Sequence, residues 1–159
     1  MKLQLKTATK LALAATVVAV SGYALAQQAP KPENLIKWRQ SVFQVVGWNT
    51  GRIKANVEGT YNKDEVVKAA NTIAALSKSG FEGLFVAGTE QGKGWHDTSV
   101  KAEVFSNNKH FIELAQNFSN EAGNFATVAG TGDQATVKAE FGKLTKTCKA
   151  CHDDFKAKD

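Results

Sequence analysis

The chain has 159 residues, which is enough for one domain and short for two. Hydrophobic residues make up 43% of the chain and charged residues 22%, a globular balance that excludes disorder over most of its length. The two prolines, Pro30 and Pro32, precede the long patterned part of the sequence, so the helices predicted below have no proline in their interiors.

The first 26 residues have the pattern of a secretory signal peptide. Three lysines precede the apolar stretch 11–20, and no acidic residue occurs before Glu33. The stretch is too short to span a bilayer, which argues against the alternative of a retained membrane anchor. The triplet Ala-Leu-Ala ending at Ala26 provides the small residues that signal peptidase accepts. We therefore expect residues 1–26 to be cleaved and residues 27–159 to form the mature domain.

Cleavage removes much of the positive charge. Of the 20 basic residues three leave with the signal peptide, so 17 remain against 15 acidic residues and the net charge falls from +5 to +2. No basic stripe remains, and we expect no nucleic-acid partner. After cleavage we also expect no association with a membrane.

Apolar residues then recur at the three- and four-residue spacing of amphipathic helices. The first predicted helix runs from Glu33 to about Ile53, with Asn49-Thr50-Gly51 loosening its last turn. Its predicted buried stripe consists of Leu35, Ile36, Val42, Phe43, Val46 and Ile53. A second helix is capped by Asn62 or Asp64 and ends before Gly80.

Residues 83–94 hold four of the thirteen glycines and no sustained period, so they form the longest connection. A third helix is predicted from near Thr98 towards Phe125, followed by a turn and helix cap at residues 130–133. The fourth helix has the clearest stripe: Val137, Phe141, Leu144, Cys148, Cys151 and Phe155. Because no segment alternates with a period of two, we predict an all-α fold, an antiparallel up-down-up-down four-helix bundle.

The motif Cys148-Lys149-Ala150-Cys151-His152 carries the chemistry. On a helix, spacings of three and four residues bring Cys148, Cys151 and His152 to one face. Two thiols at this spacing can add to the two vinyl groups on one edge of a porphyrin, and the adjacent imidazole can reach the iron. The motif therefore predicts covalently attached haem c. Export agrees, because c-type haem is attached outside the bacterial cytoplasm.

Three other interpretations of the motif remain. A redox Cys pair usually begins a helix that follows a strand, whereas this pair lies near the end of a late helix. A structural zinc site needs four ligands, and the only other histidines, His96 and His110, show no partner pattern. A disulfide would leave His152 without a role.

The sequence offers few candidates for the sixth position of the iron. The only methionine is Met1, which leaves with the signal peptide. His96 and His110 remain, but neither context predicts the fixed orientation that a metal-bound histidine needs. We therefore predict five-coordinate iron with one open axial position.

Three residues of the first helix are candidates for contacts with the haem. Phe43 is the candidate for covering the open axial position, since a phenyl ring cannot coordinate iron; the alternative is an ordinary core residue. Arg39 lies one turn earlier, and a buried arginine needs an anion such as a haem propionate. Gln40 is a candidate donor to the same group. For Arg39 and Gln40 the alternative is a solvated helix face.

The placement of this haem motif near the C-terminus, on the last of four predicted helices, resembles cytochrome c′, the class II cytochromes c. The segments that carry the resemblance are Lys31-Pro32-Glu33, Lys37-Trp38-Arg39-Gln40-Ser41, Gly51-Arg52, residues 85–90 and residues 148–153. The motif alone is typical of c-type cytochromes in general, whereas its placement and the first-helix segment are specific to this family. The resemblance covers essentially the whole mature chain.

The resemblance implies a periplasmic protein, usually a homodimer, with high-spin five-coordinate haem. Such proteins bind nitric oxide and carbon monoxide and discriminate against oxygen. Protection from nitric oxide is the role usually proposed for them, and electron transfer to a redox partner protein is the other. We expect one covalently attached haem per chain and no enzyme activity.

The resemblance also implies roles for individual residues. It implies that His152 is the iron ligand and that Cys148 and Cys151 are the thioether sites. It also implies that Arg39 and Gln40 are the propionate-side pair and that Phe43 covers the open face. Phe43 is bulkier than the usual leucine or methionine, so we expect it to restrict ligand entry. Lys156 replaces an arginine common in the family, and we expect it to be solvated and to complement the helix C-terminus.

Two further functions remain as alternatives. A low-spin electron carrier requires a sixth ligand, and a peroxidase requires a distal His and Arg pair, which the sequence does not show. Trp38, Val45 and Trp48 fall partly off the buried stripe of the first helix and form a candidate apolar patch for dimerisation.

Overall fold

The computed structural model describes residues 29–158, so the predicted signal peptide and its cleavage after Ala26 lie outside the described residues. The helices, in chain order, are α1 (Pro32–Glu58), α2 (Lys63–Ser77), a 3₁₀ turn (Phe81–Leu84), α3 (Glu103–Ser106), α4 (Asn108–Thr131) and α5 (Gln134–Phe155). Between residues 29 and 158 no helix has the length and hydropathy needed to cross a membrane.

The four long helices α1, α2, α4 and α5 form the predicted four-helix bundle. Each packs against the next, and α1 also contacts α5, which closes the bundle. Gln134 at the start of α5 donates from Nε2 to the carbonyl oxygen of Val57 at the end of α1, at 3.3 Å. At the other end, Phe155 of α5 meets Phe111 of early α4 with ring centroids 5.7 Å apart. These contacts fix the antiparallel, up-down-up-down arrangement.

Helix α1 is longer than predicted. It passes through Asn49-Thr50-Gly51 without loosening and ends at Glu58. Asn49 Nδ2 donates to the carbonyl oxygen of Val45 at 2.9 Å, and Thr50 Oγ1 donates to that of Val46 at 2.8 Å. Because both polar side chains bond back to the preceding turn, they do not interrupt the helix.

The helix caps follow the sequence more closely. The side chain of Asn62 accepts from the backbone N–H of Glu65 at 3.2 Å and begins α2, as predicted. Asp133 accepts from the backbone N–H of Thr136 at 2.8 Å and begins α5, and this bond lowers the pKa of the Asp133 carboxyl. The turn before α5 is shorter than predicted, because α4 continues to Thr131.

The third helix begins later in the structure than the sequence predicts. Residues 99–101 are extended and pair with the end of α5 instead of starting a helix near Thr98. The backbone N–H of Lys101 donates to the carbonyl oxygen of Phe155 at 2.9 Å, and that of Ala157 donates to Ser99 at 2.8 Å. The helical path then consists of the single turn α3 followed by α4.

The core has two parts. The larger cluster runs through the bundle and includes Ile53, Val66, Ile73, Phe125 and Leu144. The smaller cluster contains the buried residues Val104, Phe111 and Phe155, with Phe85, Val100 and Cys151 packed against it. The smaller cluster lies beside the Cys-His motif and forms part of the functional site.

A short loop within the glycine-rich connection, residues 92–98, folds back on itself and is here called the strap. The backbone N–H of Thr98 donates to the carbonyl oxygen of Gly92, and that of Gly94 donates to His96, both at 3.0 Å. The strap is seated on α1: a Cβ at Gly94 would lie 2.9 Å from both Ile36 Cγ2 and the Lys37 nitrogen. Glycine is therefore needed at this close approach.

Candidate functional site

A cavity of about 320 Å³ lies between α1, the connection after α2 and the end of α5. This volume is in the range of small-molecule and cofactor sites. Its walls are largely apolar and include Phe43, Phe85, Val100, Phe111 and Phe155. Of the six predicted site residues, five line this pocket: Arg39, Gln40, Phe43, Cys151 and His152. Cys148, one turn before Cys151, is half-buried and packs against the larger core cluster.

The last turn of α5 is held in place by the segment that precedes α3. The ammonium group of Lys101 donates to the carbonyl oxygens of Asp153 and Asp154, at 2.9 and 3.1 Å. A cation at these carbonyls complements the negative end of the helix dipole. The backbone N–H of Lys156 donates to the carbonyl oxygen of His152 at 3.1 Å. The motif therefore lies on a helix end that is fixed by the pairing described above.

The two cysteines are free thiols in this structure. Burial raises the pKa of Cys148 above its ordinary value and raises the pKa of Cys151 to about 11, where the neighbouring Cys148 and Asp154 add to the effect. A redox-active Cys pair has a lowered pKa instead, because its nucleophile is a thiolate. The electrostatics of this site are therefore opposite to those of a redox pair.

His152 stands at the pocket with its side chain exposed. The protein around it nevertheless removes enough water to lower the pKa of the imidazole, and the positive charge of Lys156 lowers it further. The neutral imidazole is thus favoured near pH 7. This is the form that binds a metal through a ring nitrogen.

Arg39 is 3% exposed, so the solvated-surface alternative is wrong for this residue. Its Nη1 donates to the carbonyl oxygen of Leu84 at 3.2 Å and to Thr89 Oγ1 at 2.9 Å. Its Nη2 donates to the carbonyl oxygen of Thr89 and to Thr98 Oγ1, both at 2.8 Å. The guanidinium also lies 4.9 Å from the Phe85 ring centroid. Burial lowers the pKa of Arg39, but an arginine remains charged.

Gln40 is half-buried and holds the strap. Its Nε2 donates to the carbonyl oxygen of His96 at 2.9 Å, and its Oε1 accepts from the backbone N–H of Trp95 at 2.7 Å. The residue is therefore neither a plain solvated side chain nor simply a donor aimed into the pocket. It joins α1 to the strap at the pocket rim.

Phe43 does not lie on the buried stripe of α1, contrary to the prediction. It is 36% exposed and faces the pocket, with its ring 5.5 Å from that of Phe81 and 6.3 Å from that of Phe85, both in edge-to-face contact. Arg39 and Asn49 occupy buried positions on the stripe instead. Hydrogen bonds satisfy both of these polar side chains, which is why the apolar pattern alone missed them.

The family model described as Cytochrome C′ matches residues 34–156. The chain belongs to the cytochrome c′ family. It is 59% identical over 130 residues to cytochrome c′ from Rhodocyclus tenuis, an alignment that covers 81% of this chain and 98% of that relative.

Solved structures of cytochromes c′ resemble the fold. One, of a cytochrome c′ with an unusual ligand-controlled dimer dissociation, superposes with a TM-score of 0.78 at 42% identity, covering 81% of this chain and 98% of that one. A nitric oxide complex of a mutant of cytochrome c prime from Alcaligenes xylosoxidans superposes with a TM-score of 0.71 at 27% identity, covering 81% and 98%.

Membership of the cytochrome c′ family implies a c-type haem. The residues of the pocket fit such a group. Protonated thiols and a neutral imidazole are available at the end of α5, and aromatic side chains form flat walls. Arg39 and Lys156 are the side chains charged at neutral pH that line the pocket within residues 29–158, and both are basic, which suits a porphyrin with two carboxylates.

Two pocket residues were misjudged from the sequence. His96 was considered only as an iron ligand without a fixed orientation, yet its Nδ1 lies 2.8 Å from the carbonyl oxygen of Asp97. Lys156 was expected to be solvated, but it is half-buried and lines the pocket beside His152. His110, the other spare histidine, instead lies 2.9 Å from Asp154 Oδ2. The glycines around His96 were the only signal that this loop could approach α1 closely.

Replacing Arg39 by methionine should destabilise the protein by about 2–4 kcal/mol, because buried carbonyl oxygens of the connection lose their donors. Chemical denaturation of the purified holoprotein measures the loss. Arg52→Met is the matched control, since Arg52 contacts Glu65 and the Trp48 ring at a more exposed site and should cost less. Equal losses for the two variants would show that burial of Arg39 has no special role.

Proposed function

We propose that this protein is a periplasmic cytochrome c′ with one covalently attached haem c and five-coordinate iron that binds nitric oxide and carbon monoxide. In this proposal residues 1–26 are removed on export and residues 27–159 form the mature haem domain. Cys148 and Cys151 provide the thioether bonds, and His152 is the iron ligand. A haem bound in this way supplies an iron atom with one open axial position for a small gas molecule.

The proposal of five-coordinate iron is supported by the residues that α1 presents to the pocket. These are Arg39, Gln40, Phe43 and Gln44. None of them belongs to the residue types that commonly bind haem iron, which are histidine, methionine, cysteine and tyrosine. Met1, the only methionine, belongs to the segment assigned to the signal peptide.

Phe43 shapes the part of the pocket that receives the gas. Its edge-to-face contacts with Phe81 and Phe85 hold the ring in a fixed apolar wall. Such a wall excludes water and anions, which would lose hydrogen bonds on entry, and admits small uncharged diatomic molecules. The nitric oxide complex of a family member supports this ligand class. We propose protection from nitric oxide as the physiological role, with no enzyme activity.

One observation favours a second candidate, a low-spin electron carrier that exchanges electrons with a redox partner protein. His96 lines the pocket, and its Nδ1 lies within hydrogen-bond distance of a carbonyl oxygen. This arrangement is typical of histidines that bind metal through Nε2. We favour the gas-binding function because the strap backbone at His96 is tied to Gln40, at the rim of the pocket.

We also propose that the protein is a homodimer that associates through α1. Trp38, Val45 and Trp48 form an exposed apolar patch there, and Trp48 is 64% exposed. The guanidinium of Arg52 lies over the Trp48 ring at 4.6 Å, which gives the patch a polar edge. Dimer dissociation in a related cytochrome c′ supports the proposal.

The visible absorption spectrum of the ferrous protein, with and without carbon monoxide, tests the function. We expect a broad high-spin spectrum that sharpens when the gas is added. A sharp low-spin spectrum that does not respond to carbon monoxide would contradict gas binding and favour the electron carrier. The protein must be produced with haem-maturation machinery so that the haem is attached.

Replacing Phe43 by alanine should speed carbon monoxide association by about tenfold, which corresponds to about 1.4 kcal/mol of barrier. The reason is that the variant removes the ring that narrows the pocket. Flash photolysis or stopped-flow mixing measures the rate. Phe125→Leu, in the larger core cluster, is the control that should leave the rate unchanged. An unchanged rate in Phe43→Ala would remove Phe43 from the entry path.

Replacing Trp48 by glutamate should shift the protein from dimer to monomer, because it places a charge within the apolar patch. Sedimentation equilibrium measures the change. Trp95→Glu is the matched control, since Trp95 is similarly exposed but lies on the strap. A Trp48→Glu variant that stays dimeric would place the interface elsewhere.

A further inference from the structure

The two residues that the family resemblance places beside the propionates bond extensively to the protein itself. The four hydrogens on the terminal nitrogens of Arg39 are donated to oxygens of Leu84, Thr89 and Thr98. Both polar atoms of the Gln40 amide are bonded to the strap backbone. These residues position the connection around the pocket, and the strap they hold brings a further polar side chain to its rim.

The strap brings His96 to this place. Gln40 bonds to the backbone on both sides of the Trp95–His96 peptide, and the Trp95 indole N–H donates to Ser41 Oγ at 2.9 Å. The close approach of Gly94 to Ile36 and Lys37 of α1 holds the same segment at a second point. His96 is consequently held at the rim of the pocket, with its side chain among the lining residues and partly in solvent.

The hydrogen bonding of His96 determines what its ring can do. Nδ1 lies 2.8 Å from the carbonyl oxygen of Asp97 and 3.3 Å from Gln40 Nε2, so this nitrogen is held by contacts within the protein. Nε2 is then the nitrogen that can contact a ligand. An N–H at this position can donate a hydrogen bond to a carboxylate oxygen.

The charges around the pocket favour a carboxylate there. No aspartate or glutamate of the described part of the chain lines the pocket, whereas Arg39 of α1 and Lys156 after α5 do. The other ionisable groups near His96 are Lys37, Lys93 and Asp97. The ammonium of Lys37 lies 5.5 Å from the Trp95 ring centroid, and Lys93 and Asp97 form an antiparallel backbone β-bridge within the strap. Asp97 is the acidic residue of the strap. Its backbone carbonyl oxygen is the atom that lies 2.8 Å from Nδ1 of His96.

We propose that His96 donates a hydrogen bond from Nε2 to a haem propionate, and that Gln40 is the residue that positions it. This inference rests on the proposed function, because it needs a haem in the pocket. The hydrogen bond disperses the negative charge of the propionate. Without it the oxidised iron is stabilised relative to the reduced iron, so the midpoint potential falls.

The test is the resonance Raman spectrum of the holoprotein, in which the propionate bands report hydrogen bonding, together with the midpoint potential measured by spectroelectrochemistry. We expect the propionate bands to shift and the potential to fall in His96→Leu, because leucine cannot donate a hydrogen bond. His96→Gln keeps an amide donor at the strap and should retain most of the wild-type band positions and potential.

Two further variants separate this contact from other effects. Lys93→Gln removes a charge from the strap and should keep the wild-type propionate bands. Gln40→Leu keeps His96 but releases the strap, so it should shift the propionate bands in the same direction as His96→Leu.

Carbon monoxide spectra of the same samples distinguish the possible failures. If His96→Leu responds to the gas like the wild type and keeps the wild-type propionate bands and midpoint potential, the His96 contact is wrong and the proposed function stands. If the wild type is low-spin and His96→Leu becomes high-spin, His96 binds the iron, and both proposals are overturned.

Discussion

The buried guanidinium of Arg39 is the interaction on which the pocket depends. The long connection between α2 and α4 has little regular structure, so its backbone oxygens need donors from elsewhere. Arg39 supplies four hydrogen bonds to three residues that are separated along this connection, Leu84, Thr89 and Thr98. A charge that is taken out of water is tolerated only when it is bonded in this way. One side chain of α1 thereby fixes one wall of the pocket.

The other wall is fixed by the end of α5. Extended residues before α3 pair with the last turn of this helix, and the Lys101 ammonium caps its carbonyl groups. Cys151 and His152 are therefore presented to the pocket by a helix end that this pairing supports. Burial favours the thiol and the neutral imidazole there. The packing that buries these side chains thus also favours their uncharged forms.

Much of the fold follows from local patterns. The helix type, the bundle and the caps at Asn62 and Asp133 were predicted, because apolar spacing and capping chemistry act between residues near in sequence. The errors occurred where distant segments compete for the same backbone. The segment after Thr98 pairs with the end of α5, and Asn49 bonds within its own helix; neither choice is visible in the pattern of apolar residues.

The four-helix fold and the Cys-x-x-Cys-His motif can both be predicted from the amino-acid sequence, because both depend on residue type and short spacing. The contacts of the residues around the pocket became visible only in the folded structure. Arg39 is buried, Phe43 faces the cavity, and Gln40 holds the strap that carries His96. These roles depend on hydrogen bonds between residues about 45 to 60 positions apart, such as that from Arg39 to Thr98. No local pattern encodes such a pairing, since each partner alone is an ordinary polar residue.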